Sequence, residues 1–217
     1  MRIGVLGTGM VGKAIGGKLV ELGHEVRMGS RTAGGEAATG WVAEAGEGAS
    51  EGDFADAAAF GELVFNCTPG MHALDALGQA GAENLAGKVL VDVSNSLDFS
   101  GGRPPTLAVC NTTSVGEQVQ EAFPDARVVK SLNTMNAGVM VDPASVPGDH
   151  VAFVAGDDDA AKDEVRSLLG EFGWPAERII DLGGIVGARG AEMWLPLWLG
   201  LMGALGTPQF NLTLVKA

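Results

Sequence analysis

The chain predicts an α/β protein in which helices pack on both faces of a parallel sheet. Three observations carry this expectation. A short apolar run at the start ends in the glycine pattern Gly7-Thr8-Gly9-Met10-Val11-Gly12 and passes at once into a helical pattern. Short apolar runs then alternate with helix-like stretches along most of the chain. With 217 residues, 46% of them hydrophobic, there is enough apolar material for a substantial core.

The opening stretch has the order strand, tight turn, helix, which is the context that gives G-x-G-x-x-G its meaning. Gly7 would let the chain turn sharply, Gly9 would let the backbone approach a pyrophosphate, and Gly12 would let the helix lie close to the strand. The helix N-terminus then offers free N–H groups and a partial positive charge to phosphates. In a chain with 34 glycines, a glycine-rich turn that binds nothing is the competing reading.

The elements follow in order. A helix is expected from Val11 to Leu22, with Gly23 as its stop, and a second strand over Glu25 to Met28. Gly29-Ser30-Arg31-Thr32 lies about 20 residues beyond the glycine loop, where the ribose-reading residue of a dinucleotide site belongs. No acidic side chain stands there. Ser30 can donate a hydrogen bond and Arg31 can pair with a 2′-phosphate, so the site reads as NADP rather than NAD. An ordinary exposed arginine is the alternative.

Glu36 to Ala45 reads as helix, and Ala49 to Phe60 as an edge strand with a helical turn or two. Glu62 to Cys67 is an apolar strand stopped by Thr68-Pro69-Gly70. Met71 to Gln79 is helical, and Lys88 to Val93 is a strand ending at Ser94-Asn95. Together these give a Rossmann-type doubly wound sheet. Ligands in such sheets lie outside the carboxyl ends of the strands, at Thr8 to Val11, Ser30-Arg31, Thr68-Pro69 and Ser94-Asn95.

Beyond a Gly/Pro loop at Ser100 to Pro105, further strand–helix units continue the pattern. Strands are expected at Arg127 to Leu132, Val151 to Ala155 and Arg178 to Asp181, and helices at Ser114 to Ala122 and from Asp157-Asp158-Asp159 to Phe172. The aspartate run reads as a helix cap rather than a metal site, and no metal is expected. Gly187 to Leu205 reads as one final helix, apolar nearly all round, to be buried by the core or by a second subunit. The whole chain, 1–217, reads as one dinucleotide-binding α/β unit. Residues 1–100 form the Rossmann half, and 101–217 an extension with substrate-side and dimerisation elements.

The bulk numbers exclude several classes. A net charge of −13 argues against nucleic acid or an anionic membrane as partner. Cys67 and Cys110 are too few for a disulfide framework, and Cys67 reads as a small core residue. The first residues already form a strand, which leaves no room for a signal peptide, and the apolar stretch Met193 to Leu205 is too short to span a bilayer. A cytoplasmic protein is expected. No Ser/His/Asp or Cys/His arrangement suggests nucleophilic catalysis. Lys130 lies inside a strand, tyrosine is absent, and His24 and His150 read as structural.

The chain resembles the NADPH-dependent reductases of the deazaflavin coenzyme F-420. The likeness rests on Gly7-Thr8-Gly9, Met28-Gly29-Ser30-Arg31, Thr68-Pro69 with His72, and Val129-Lys130-Ser131-Leu132-Asn133-Thr134. It rests also on Ala155-Gly156-Asp157-Asp158-Asp159, and on Asp181-Leu182-Gly183-Gly184 with Arg189, Glu192 and Pro196 beyond. The resemblance implies that Thr8 to Val11 and Ser30-Arg31 hold NADP. It implies that Thr68, Pro69 and His72 lie near the nicotinamide, with Asn136 and Ala137 by the same pocket and Arg189-Gly190 by the deazaflavin. His72 would orient the nicotinamide amide or ribose, or be a partly exposed helix histidine. The activity implied is hydride transfer between NADP(H) and coenzyme F-420; the apolar final helix, separately, leads us to expect a homodimer. Reduction of another acceptor (a flavin, imine or ketone), or an NADP-binding regulator without enzymatic activity, are the alternatives.

Overall fold

The computed structural model describes residues 1–216. β1 (Arg2–Leu6), α1 (Met10–Glu21), β2 (Glu25–Ser30), α2 (Glu36–Ala45), β3 (Ala49–Asp53), α3 (Phe54–Phe60) and β4 (Leu63–Asn66) form the first half. A single 3-10 turn at Gly70–His72 leads to α4 (Ala73–Ala80), α5 (Ala82–Leu85) and β5 (Val89–Asp92). The second half holds β6 (Leu97–Asp98), β7 (Thr106–Leu107), α6 (Val115–Ala122), β8 (Arg127–Ser131), α7 (Ala137–Val141) and β9 (Ala152–Ala155). It ends with α8 (Asp159–Glu171), β10 (Ile179–Asp181), α9 (Ala188–Met193) and α10 (Leu195–Leu205).

Eight strands form one sheet in the order β10-β9-β8-β5-β4-β1-β2-β3. The strand order reverses between β1 and β4, so the loops after those two strands face each other at the carboxyl edge. The central strands β1, β4 and β5 are buried almost throughout, because helices cover both faces. On one face the core joins Ile15 and Leu19 of α1, Trp41 of α2, Met140 of α7 and Val165 of α8 to the sheet. On the other, α3, α4, α5 and α6 pack through Ala57, Leu77, Leu85 and Val119. This is a Rossmann-type α/β fold.

Two expectations need correction. The sheet is not wholly parallel, because β9 runs antiparallel to β8, with Lys130 opposite Ala155 and Ser131 opposite Val154. The chain between β8 and β9 makes only the short helix α7 and a 3-10 turn at Pro143–Ser145, and returns to the edge it left without a crossover. β10 then pairs parallel with β9. The Gly/Pro loop at 100–105 is the tip of a separate two-stranded ribbon, β6–β7. The expected final helix is two helices that meet at Trp194, just before Pro196, which has no N–H to carry a helix through. Nor is α10 enclosed by the core: only Leu195 and Trp198 are buried, and Leu197 and Leu205 are 56% and 57% exposed.

Candidate functional site

The three loop glycines differ in what surrounds them. Gly7 has φ of +117°, a left-handed conformation that disfavours any side chain, and a methyl group there would lie 2.9 Å from the Cys67 carbonyl oxygen. A methyl group at Gly12 would collide with the Gly7 carbonyl oxygen. Both are required by the fold. Gly9 is different: its backbone is extended, and a methyl group there would meet no atom within 4 Å. It is also the N-cap of α1, with no side-chain cap, and the first turn of that helix holds no acidic residue. The helix N-terminus therefore opens on free space at the switch point of the sheet.

Around that space the strand ends bring several sequence-predicted residues to one edge. Thr8 follows β1. Ser30 closes β2, and its hydroxyl donates to the Thr32 carbonyl at 2.7 Å. Arg31 is exposed and forms no ion pair among the described residues. Thr68 follows β4, opposite Gly7, and is buried; its hydroxyl donates to Asn66 Oδ1 at 2.6 Å. Pro69 and His72 are exposed on the 3-10 turn, and Met10 is exposed at the start of α1. Ser94 follows β5 and is buried, with its hydroxyl unpartnered. Asn136 caps α7, accepting from the Gly138 N–H at 2.9 Å, and Ala137 beside it is buried. Asn95 and Asn133, just beyond β5 and β8, bridge the two strands: Asn95 Nδ2 donates to the Asn133 backbone carbonyl at 2.9 Å, and Asn133 Nδ2 donates to Asn95 Oδ1 at 3.0 Å. Next to them Leu132 has φ of +61°, a conformation uncommon for a bulky residue; full burial of its side chain accompanies it.

Arg189 and Gly190 come from α9. The Arg189 guanidinium is engaged in a two-pronged pair with Glu117 of α6, Nε to Oε2 at 2.8 Å and Nη2 to Oε1 at 2.5 Å. These charge-assisted bonds hold the Glu117 carboxyl below its usual range. Gly190 is exposed.

Sequence reasoning missed what lies beneath this edge. Asp92, Lys130 and Glu192 are 0%, 1% and 1% exposed and form a charged cluster. Lys130 Nζ donates to Asp92 Oδ2 at 2.7 Å and to the Ser94 carbonyl at 2.5 Å, and lies 2.7 Å from Glu192 Oε1. Glu192 also accepts from the N–H groups of Val115 and Gly116 at 2.9 and 3.1 Å, the first turn of α6. Asn66 Nδ2 donates to Asp92 Oδ1 at 2.8 Å, which links the cluster to Thr68. Burial alone pushes the Lys130 ammonium down, but the two carboxylates outweigh it and hold the pKa above its usual value. A signal did exist: each of the three is a charge set in an apolar run, and buried charges need one another.

Elsewhere several readings hold. Asp158 caps α8, accepting from the Ala161 N–H at 2.9 Å. His150 is a buried tie, its Nε2 meeting the Pro143 and Val146 carbonyls at 3.0 and 3.1 Å. Both cysteines are free thiols; Cys67 is half-buried rather than fully enclosed, and its surroundings push the thiol pKa well up. No helix among the described residues is long and apolar enough to cross a membrane.

The fold class is that of dinucleotide-binding Rossmann-type proteins, and comparison with known proteins narrows it. Residues 2–96 match the family described as NADP oxidoreductase, coenzyme F420-dependent. Over the whole of both chains the protein is 52% identical to a provisionally assigned F420-dependent NADP-reductase from Arthrobacter sp. FB24, with a TM-score of 0.94. The chain thus belongs to this family of NADP-dependent oxidoreductases. It is also 28% identical over 205 residues to the metalloreductase STEAP3 of Rattus norvegicus, matching 91% of this chain but only 38% of that protein. A reductive aminase from Aspergillus terreus shares the fold at 20% identity and a TM-score of 0.66, with 94% of this chain matched to 62% of its own.

Proposed function

We propose that the protein transfers a hydride between NADP(H) and the deazaflavin coenzyme F-420. The observation that carries the dinucleotide half is the free space over Gly9 at the uncapped N-terminus of α1, a position where the fold itself does not require glycine. The family description and the Arthrobacter relative support the deazaflavin half.

In this reading residues 1–100 supply most of the NADP site. Gly7, Thr8, Gly9, Met10, Val11 and Gly12 take the pyrophosphate through backbone N–H groups. Ser30 and Arg31 take the 2′-phosphate. Thr68, Pro69, His72, Ser94, Asn136 and Ala137 surround the nicotinamide end. Residues 101–217 supply the acceptor side, with Arg189 and Gly190 beside the deazaflavin. Arg189 acts there from its pair with Glu117, as a fixed wall rather than a free cation. When bound, the pair would supply the redox chemistry, a hydride from NADPH and a proton from solvent together completing reduction of the acceptor. The protein brings the reacting carbons to about 3–3.5 Å and excludes water. We place the protein in the cytoplasm, as a homodimer that covers α10.

The test mixes purified protein with NADPH and oxidised deazaflavin and follows loss of deazaflavin absorbance. Turnover is expected. Turnover only with a flavin, an imine or a ketone would move the acceptor to that class, and tight NADP binding without turnover on any acceptor would make the protein a regulator.

A further inference from the structure

We infer that Lys130, through Glu192, is the positioning residue that fixes the acceptor-side wall formed by α9 and Trp194. This inference rests on the proposed reading only for what that wall faces. α9 has six residues, too few to be stable alone, and neither it nor α10 contributes a strand to the sheet. Its place is therefore set by side-chain contacts. Ala188 packs on the α6 backbone, where even a methyl group on Gly116 would come within 3.1 Å of it. Trp194 Nε1 donates to the Thr134 carbonyl at 2.9 Å, and Arg189 pairs with Glu117 at the surface.

Glu192 is the one buried charge on α9, and its oxygens meet three donors: the Lys130 ammonium and two N–H groups of the α6 N-terminus. Lys130 reaches α9 from β8 while holding β5 through Asp92 and Ser94. One ammonium thus joins two adjacent strands to the helix. Two carboxylates against one lysine leave a formal surplus of negative charge, which the α6 N-terminus offsets. The geometry is directional, because both N–H donors and the ammonium must point at one carboxylate. Apolar packing would let α9 slide; this arrangement gives it a single seat. The far end of the same network, Asn66, holds the Thr68 hydroxyl, so nicotinamide-side and acceptor-side groups are referred to one buried charge.

Glu192→Gln keeps the shape but turns an NH2 group toward an N–H donor or the ammonium. The measurements are the NADPH dissociation constant, KM and kcat for the acceptor, and hydrogen exchange of the α9 amides. Val165→Ala, in the α8 core away from this cluster, controls for general destabilisation. For Glu192→Gln, acceptor KM is expected to rise about tenfold and α9 amides to exchange about tenfold faster, the scale of one lost charged hydrogen bond. The NADPH dissociation constant stays within about threefold, since α1 and β2 are untouched. Val165→Ala should lower the melting temperature with acceptor KM unchanged. Unchanged α9 exchange in Glu192→Gln, or equal KM effects in both variants, would overturn the inference. If wild-type protein fails to reduce deazaflavin, the proposed acceptor falls, while positioning is still decided by α9 exchange and NADPH affinity. If Glu192→Gln does not fold, Lys130→Arg keeps the charge, but its larger planar guanidinium cannot take the ammonium's place among three acceptors, so α9 exchange and acceptor KM should rise in the same direction, and unchanged values would overturn the inference.

Discussion

Two glycines three positions apart make opposite demands on a substitution. Gly12→Val would force a side chain into the Gly7 carbonyl, and soluble folded protein is not expected. Gly9→Val meets open space in an extended backbone, so it should fold with a loss of about 1 kcal/mol or less from the weaker N-cap. Its NADP binding should nevertheless vanish in a calorimetric titration. Retained binding would show that the space over Gly9 is not where the pyrophosphate lies. Arg31→Ala should raise KM for NADPH by at least about tenfold and leave KM for NADH nearly unchanged, as expected for a guanidinium facing a 2′-phosphate. Equal effects on both nucleotides would remove that role.

At the scale of elements, the α6–α9 contact gives a pH dependence. The folded-state pKa of Glu117 is depressed, first by its hydrogen bonds from Arg189, so its contribution is present above the ordinary carboxylate pKa of 4.5 and is lost as pH falls through the lowered value. Melting temperature should therefore fall as pH drops below that range. Glu117→Ala should be less stable than wild type at neutral pH, and the gap should narrow in acid; a gap constant with pH would contradict the assignment.

The elements of the first half were legible in the sequence because each carries a local signal. β1, β4 and β5 are apolar runs of a sheet buried on both faces, and the glycines between β1 and α1 mark the turn. The direction of β9 was not legible. Its residues, Ala-Phe-Val-Ala, suit either orientation, and what decides is the short return through α7. Pro196 is the sequence signal for the break at Trp194, but the apolar residues on both sides of it make the stretch look like one helix. In the site, strand-end residues were findable from topology alone. For the Asp92–Lys130–Glu192 cluster, each charge in its apolar run is visible in the sequence, but not which charges pair, because the three lie far apart and meet only when β5, β8 and α9 pack.

For the whole molecule, α10 separates the two ways its apolar surface can be enclosed. The sequence predicts cover by the core or by a second subunit, and the core of one chain buries only two of its eleven uncharged residues. Two copies of a chain with net charge −13 repel at long range, and α10 is an uncharged face on which they can meet. Wild-type protein should sediment as a dimer, at twice 22.1 kDa, and Leu197→Glu should sediment as a monomer with its fold retained. A monomeric wild type would refute the proposed interface.

The reversed direction of β9 makes the chain between residues 132 and 151 an interchangeable cassette. Both of its ends are anchored at the same rim of the sheet, so its length and contents can change without rethreading any strand. A new pocket wall can thus be grafted over the opening while the pyrophosphate and ribose contacts proposed for β1, α1 and β2, which lie outside this segment, are inherited intact.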